Sequence, residues 1–163
     1  MKKEEKLRVR LEFGEAKADF EGDINEVLEL TIKFLTQIYP NLRILQSITY
    51  SPDVAELAKK AADLIKVSDE GPILRSDLDA PAKDAICLVL LGAYLGKMLG
   101  KLERDSMSTR GIARIIGKAQ KTVSNEMPKL VSDGLVERTS EGEYHLTILG
   151  IKRAESLLEQ YKK

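Results

Sequence analysis

The stretch KTVSNEMPKLVSDGLVER, residues 121–138, decides how the second half of the chain is read. Val123, Met127, Leu130 and Val131 recur at helical spacing, which predicts a helix over 120–134 with these residues inward. Gly134 marks the end, because glycine takes the left-handed conformation that stops a helix. LVER then begins a strand. Pro128 falls inside this helix. Proline lacks an N–H and crowds the carbonyl four residues back, here that of Ser124, at about 3 kcal/mol if nothing relieves it. Two readings relieve it. In the preferred one the helix kinks and Val123 stays in register with Met127 and Leu130. In the other the helix starts late, capped by Thr122 or Ser124, and Pro128 falls in its first turn.

Upstream, Ala113 is followed by Gly117 and then Val123, the spacing of two helices crossing at a tight turn. Ala113 is small where the helices cross, and Gly117 permits a left-handed turn. Ile112, Ile116 and Val123 fill the space between them. The outward positions of the second helix are then Gln120, Lys121, Ser124 and Asn125. Residues 106–125 hold Arg110, Arg114, Lys118 and Lys121 and no acid. Downstream, YHLTILG reads as a strand returning into a last helix, about 150–162.

In this order and spacing, these features resemble the winged helix-turn-helix family, as in archaeal and bacterial MarR- and ArsR-type repressors. The resemblance covers the C-terminal half, from residue 82 onward. It implies that the second helix enters the major groove of double-stranded DNA by its N-terminal turns. Gln120, Lys121, Ser124 and Asn125 would then meet base edges, since Gln or Asn pairs with adenine, Lys with guanine and Ser with either. Ser108, Thr109, Arg110 and Lys118 would hold phosphates. Arg114 would join them or pair with an acid of the chain, and Arg138 leads into the wing. The bland alternative is a solvated helix face. The wing tip, SEGE, argues against contact with DNA, because Glu141 and Glu143 repel phosphates. His145, the only histidine, is expected to be structural.

Composition gives no global pull toward nucleic acid. Twenty-six basic residues cancel 26 acidic ones. The balance is uneven, however: residues 1–100 hold 14 Lys/Arg against 17 Asp/Glu, and residues 101–163 hold 12 against 9. Few Asn and Gln beside many Lys and Glu hint at a thermophile. The apolar share of 43% suffices for a core, which lacks Trp. Cys87 is the single cysteine and reads as a buried, inert thiol. The start, MKKEEKLRVR, has no signal-like apolar run, and the longest uncharged stretch, residues 85–96, is shorter than the roughly 20 residues a bilayer needs. A cytoplasmic protein with no membrane association is expected.

The N-terminal part reads as a small ββα(β)α unit. LRVRLEF and AKADF alternate in polarity and predict a β-hairpin with Leu7, Val9, Leu11, Phe13, Ala16, Ala18 and Phe20 inward. Asp23 caps a helix, in a capping box with Glu26, that presents Ile24, Val27, Leu28, Thr31, Leu35 and Ile38 and stops at Pro40. RILQSITY is read as a third strand. A second helix runs from Ser51 and Pro52 to about Ile65. The segment 66–81, KVSDEGPILRSDLDAP, reads as a linker. The helix at 82–102 carries Gly92, Gly96 and Gly100 on one face, for packing against the N-terminal unit or as a dimer seam.

These readings predict an α+β protein: an oligomerisation or partner domain at 1–67, a linker at 68–81 and a winged helix-turn-helix domain at 82–163. The expected function is a homodimeric transcription regulator that binds DNA. The alternative is a winged-helix interaction module in a transcription or replication assembly. Binding to RNA or single strands ranks last, because the outward face has no aromatic to stack on bases. No catalytic constellation, metal-ligand cluster or cofactor motif is present, so neither an enzyme nor a cofactor is expected. The glycine-rich GIARIIGKA has the wrong spacing for a phosphate loop. No effector is indicated.

Overall fold

The computed structural model describes residues 6–39 and 50–162. Among them lie six helices and three two-stranded antiparallel sheets, an α+β composition. The chain divides into two compact units, Met1–Ser51 and Pro52–Lys163.

In the first unit, β1 (Leu7–Phe13) and β2 (Ala16–Gly22) form the expected hairpin around Gly14, which has φ +59. Val9 pairs with Phe20 and Leu11 with Ala18, so the apolar side chains share one face. Phe13 was expected inward but lies beside the turn, opposite Ala16, and is 68% exposed. Asp19 bridges Arg8 and Arg10 on the other face. Asp23 accepts from the Asn25 N–H at 2.9 Å and starts α1 (Ile24–Ile38). Val27 is fully buried and Thr31, Phe34 and Ile38 half-buried. Phe20 meets Phe34 edge-on at 6.1 Å. Ile24, Leu28 and Leu35 were expected on the packed side and are exposed instead. The strand expected at RILQSITY falls almost wholly on residues 43–49, outside the described residues.

The second unit begins earlier than the sequence implied. Helix α2 (Val54–Ala61) is capped by Asp53 and ends before, not at, Ile65. The expected linker is in fact largely a hairpin. β3 (Ile65–Ser68) pairs with β4 (Gly71–Leu74), and Asp69 and Glu70 form the turn. Gly71 has φ +132, and Pro72 is buried rather than a breaker. The boundary expected at residue 67 therefore moves to 51, because residues 52–74 build on the helix that follows.

That helix, α3 (Ala82–Met98), is buried on nearly every side from Asp84 to Ala93. A helix apolar all round belongs at the centre of a domain. The β3–β4 hairpin covers its glycine face. A methyl group added at Gly92 would lie 2.7 Å from Pro72 and 2.9 Å from Ile65, and one at Gly96 would meet Leu102 and Val67. Gly100 is outside the helix, with φ +73. The face proposed as a dimer seam is thus filled by the chain itself: by Ile65 and Val67, inside the 1–67 unit expected from sequence, and by Pro72 and Leu102.

Helix α4 (Thr109–Ile116), helix α5 (Gln120–Ser132), strands β5 (Val136–Arg138) and β6 (Tyr144–Leu146), and helix α6 (Ile148–Tyr161) complete the unit. Met107 exchanges both backbone hydrogen bonds with Tyr144 at 2.9 Å, extending the β5–β6 hairpin by a third, single-residue partner. Helix α6 turns its apolar side, Ile151, Ala154, Leu157 and Leu158, onto this unit. Tyr161 donates to Asp84 on α3 at 2.8 Å, and Lys60 on α2 pairs with Glu155 at 2.9 Å. Gly150 admits no side chain: a methyl group there would lie 2.0 Å from the Leu135 carbonyl oxygen. Thr147 ties the helices together by accepting from the Gly150 N–H and donating to the Gly134 carbonyl.

Candidate nucleic-acid interface

Helices α4 and α5 meet at a turn built as the sequence requires. The Ser108 hydroxyl accepts from the Gly111 N–H at 3.1 Å and caps α4. Gly117 closes α4 with φ +66, a conformation costly for any residue with a Cβ. Ile112 and Ala113 on α4 are buried, as are Val123, Met127 and Leu130 on α5. Val131 was expected among them and is 43% exposed.

This packing brings the first turns of the two helices together. Gln120, the first residue of α5, donates from Nε2 to the Thr109 hydroxyl, the first residue of α4, at 3.4 Å. Neither first turn contains an acid. Ser108, Arg110 and Arg114 border one notch with Gly111, while Arg114 and Lys118 reach a second hollow beside Arg75. Lys121, Ser124 and Asn125 are exposed along the next turns of α5. Among the described residues, Arg110, Arg114, Lys118 and Lys121 form no ion pair. The pairing with an acid allowed for Arg114 is not made. Elsewhere in this unit Lys60, Arg75, Lys83, Lys97, Lys101, Arg104, Lys129 and Arg153 are all paired. Lys59, Lys66, Arg138 and Lys162 also form no ion pair among the described residues, so what sets Arg110, Arg114, Lys118 and Lys121 apart is that they follow one another with no acid between them.

Helix α5 runs unbroken from Gln120, so the late start with Thr122 or Ser124 as cap does not occur. Pro128 is a true interior position. It and Ser124 both face solvent, where water can take up the carbonyl that Pro128 cannot bond. Gln120 and Lys121 are accordingly helical, not turn residues.

The β5–β6 loop carries a compensation that sequence reading missed. Arg104, in the segment after α3, pairs with Glu141 and stands 3.9 Å from Glu143. Ser106 donates to Glu143 at 2.6 Å. The two acids are thus held by the preceding loop rather than presented free. Arg138 lies in the same hairpin, its guanidinium near Gly142 in the turn. No hydrogen bond or ion pair joins it to the α4–α5 group among the described residues. His145 faces Glu137 across the strands at 3.6 Å.

No group of three or more His, Cys, Asp or Glu side chains could hold a metal among the described residues. No helix among them is long and apolar enough to cross a membrane. Compared with known proteins, the chain gives no significant match to any family model, curated protein or solved structure.

Proposed function

We propose that the chain is a DNA-binding protein of winged helix-turn-helix type, acting as a homodimeric transcription regulator. The observation that carries this reading is the run of unpaired cations Arg110, Arg114, Lys118 and Lys121 around the joined N-termini of α4 and α5. Two helix N-termini and four free cations form a surface suited to an anionic backbone. Gln120, Lys121, Ser124 and Asn125 stand where base edges would be read, and Ser108, Thr109, Arg110, Arg114 and Lys118 where phosphates would be held. Arg138 would touch the backbone from the wing. The acidic wing tip weighs less against this reading once Arg104 is counted, because much of its charge is already balanced. A homodimer would set two α5 helices in successive major grooves, about 34 Å apart.

Titration of a labelled duplex at low and moderate salt tests the proposal. Binding should weaken steeply as salt rises. Arg110→Ala should weaken all sequences alike, whereas Lys121→Ala and Asn125→Ala should change sequence preference, each by about 1–3 kcal/mol at the affected base pair. No binding to any duplex at low salt would end the proposal. The neutral net charge and the exposed Glu141 favour a second reading, an interaction module docking on a protein. Recovery of a DNA-free complex from native extract, with no duplex binding, would support it.

A further inference from the structure

Helix α1 is apolar on two adjacent faces, and its own hairpin covers only one. Val27, Thr31, Phe34 and Ile38 turn toward β1 and β2. Ile24, Leu28, Ile32, Leu35 and Tyr39 form a second stripe, exposed to 55%, 49%, 47%, 37% and 52%. A helix with one partner needs a single apolar stripe. Val27 is the only fully buried large side chain among the unit's described residues, too little for so small a unit to be stable alone.

We propose that this second stripe is the seam of a homodimer in which two copies of α1 pack antiparallel. The stripe is self-complementary in that direction. About a twofold axis beside Ile32, Ile24 meets the partner's Tyr39 and Leu28 meets the partner's Leu35. The charges agree. Glu29 and Lys33 lie together on the flank away from the hairpin, so the same axis sets Glu29 beside the partner's Lys33, and Lys33 beside the partner's Glu29. A parallel pairing sets that flank against the other copy's hairpin side and makes neither pair. The inference rests on the homodimer proposed above and places its seam on α1, but it requires no DNA.

Light scattering on the full chain without DNA reads the association directly. The expected mass is twice the 18.2 kDa of one chain, and Leu28→Glu with Leu35→Glu should return it to the single-chain value. Retained protection of buried Cys87 would show that the larger unit of the variant is still folded. Glu29→Lys should weaken the dimer at least several-fold, and adding Lys33→Glu should restore it. Oxidative cross-linking fixes the direction. Ile32→Cys should form an interchain disulfide, while Ile24→Cys should not, because those positions sit about 22 Å apart along the axis at 1.5 Å per residue. A wild-type monomer at all concentrations overturns the proposal, as it would if another part of the chain covered α1. So does a dimer indifferent to Leu28→Glu with Leu35→Glu, or cross-linking at Ile24→Cys and not at Ile32→Cys. A dimer with these properties that binds no duplex supports the seam and removes the DNA reading alone.

Discussion

At Cys87 burial decides the chemistry. The thiol is 1% exposed in the central helix, and burial, followed by the nearby Asp84 carboxylate, pushes its pKa from 9.0 up to about 11. A thiol reagent at pH 8 should therefore label the chain only when it unfolds. The pH dependence has a definite sign. The unfolded thiol ionises near 9.0 and the folded one near 11, so its contribution is whole below pH 9.0 and is lost as pH rises toward 11. Rapid labelling of folded protein would contradict this placement. Cys87 was legible in the sequence because it lies in an unbroken apolar run. Arg104 was not: nothing local links it to Glu141, 37 residues away, and only the fold brings them together.

At the scale of elements, local rules succeeded where one residue carries one requirement. Asp23 caps the helix it was expected to cap, Gly117 and Gly134 take the left-handed conformation expected of them, and the alternation of β1 and β2 gave their hairpin. They failed where composition was ambiguous. Asp69, Glu70, Gly71 and Pro72 read as a linker, yet the same residue types make the turn and edge of β3–β4, whose value lies in covering Gly92 and Gly96. The two apolar faces of α1 merged into one expected stripe, since periodicity alone does not tell how many partners a helix has. Pro128 gives this scale its prediction. The helix spans Gln120 to Ser132 with Pro128 exposed inside it, so Pro128→Ala restores a backbone hydrogen bond without removing packing. Urea unfolding should show a gain of about 1–3 kcal/mol. A loss would mean that the proline serves a contact the helix needs.

Across the whole molecule, the distribution of charge and of burial decides the reading. The chain is neutral overall, yet Arg110, Arg114, Lys118 and Lys121 follow one another with no acid between them and no ion pair among the described residues, whereas Lys60, Arg75, Lys83, Lys97, Lys101, Arg104, Lys129 and Arg153 are paired. Sequence located this run through the absence of acids between 106 and 125, and the fold added that the acids elsewhere do not reach back to it. The division at residue 51 was beyond sequence reading, because residues 52–74 belong to α3 by packing and not by any punctuation in the chain. The central claim is that the α4–α5 surface meets DNA. Amide chemical shifts of the isotope-labelled full chain, followed during titration with a mixed-sequence duplex at low salt, test it most directly. The account predicts that the changes gather at residues 108–125, with a smaller set near Arg138. Absence of changes, or changes confined to residues 6–39, would contradict it.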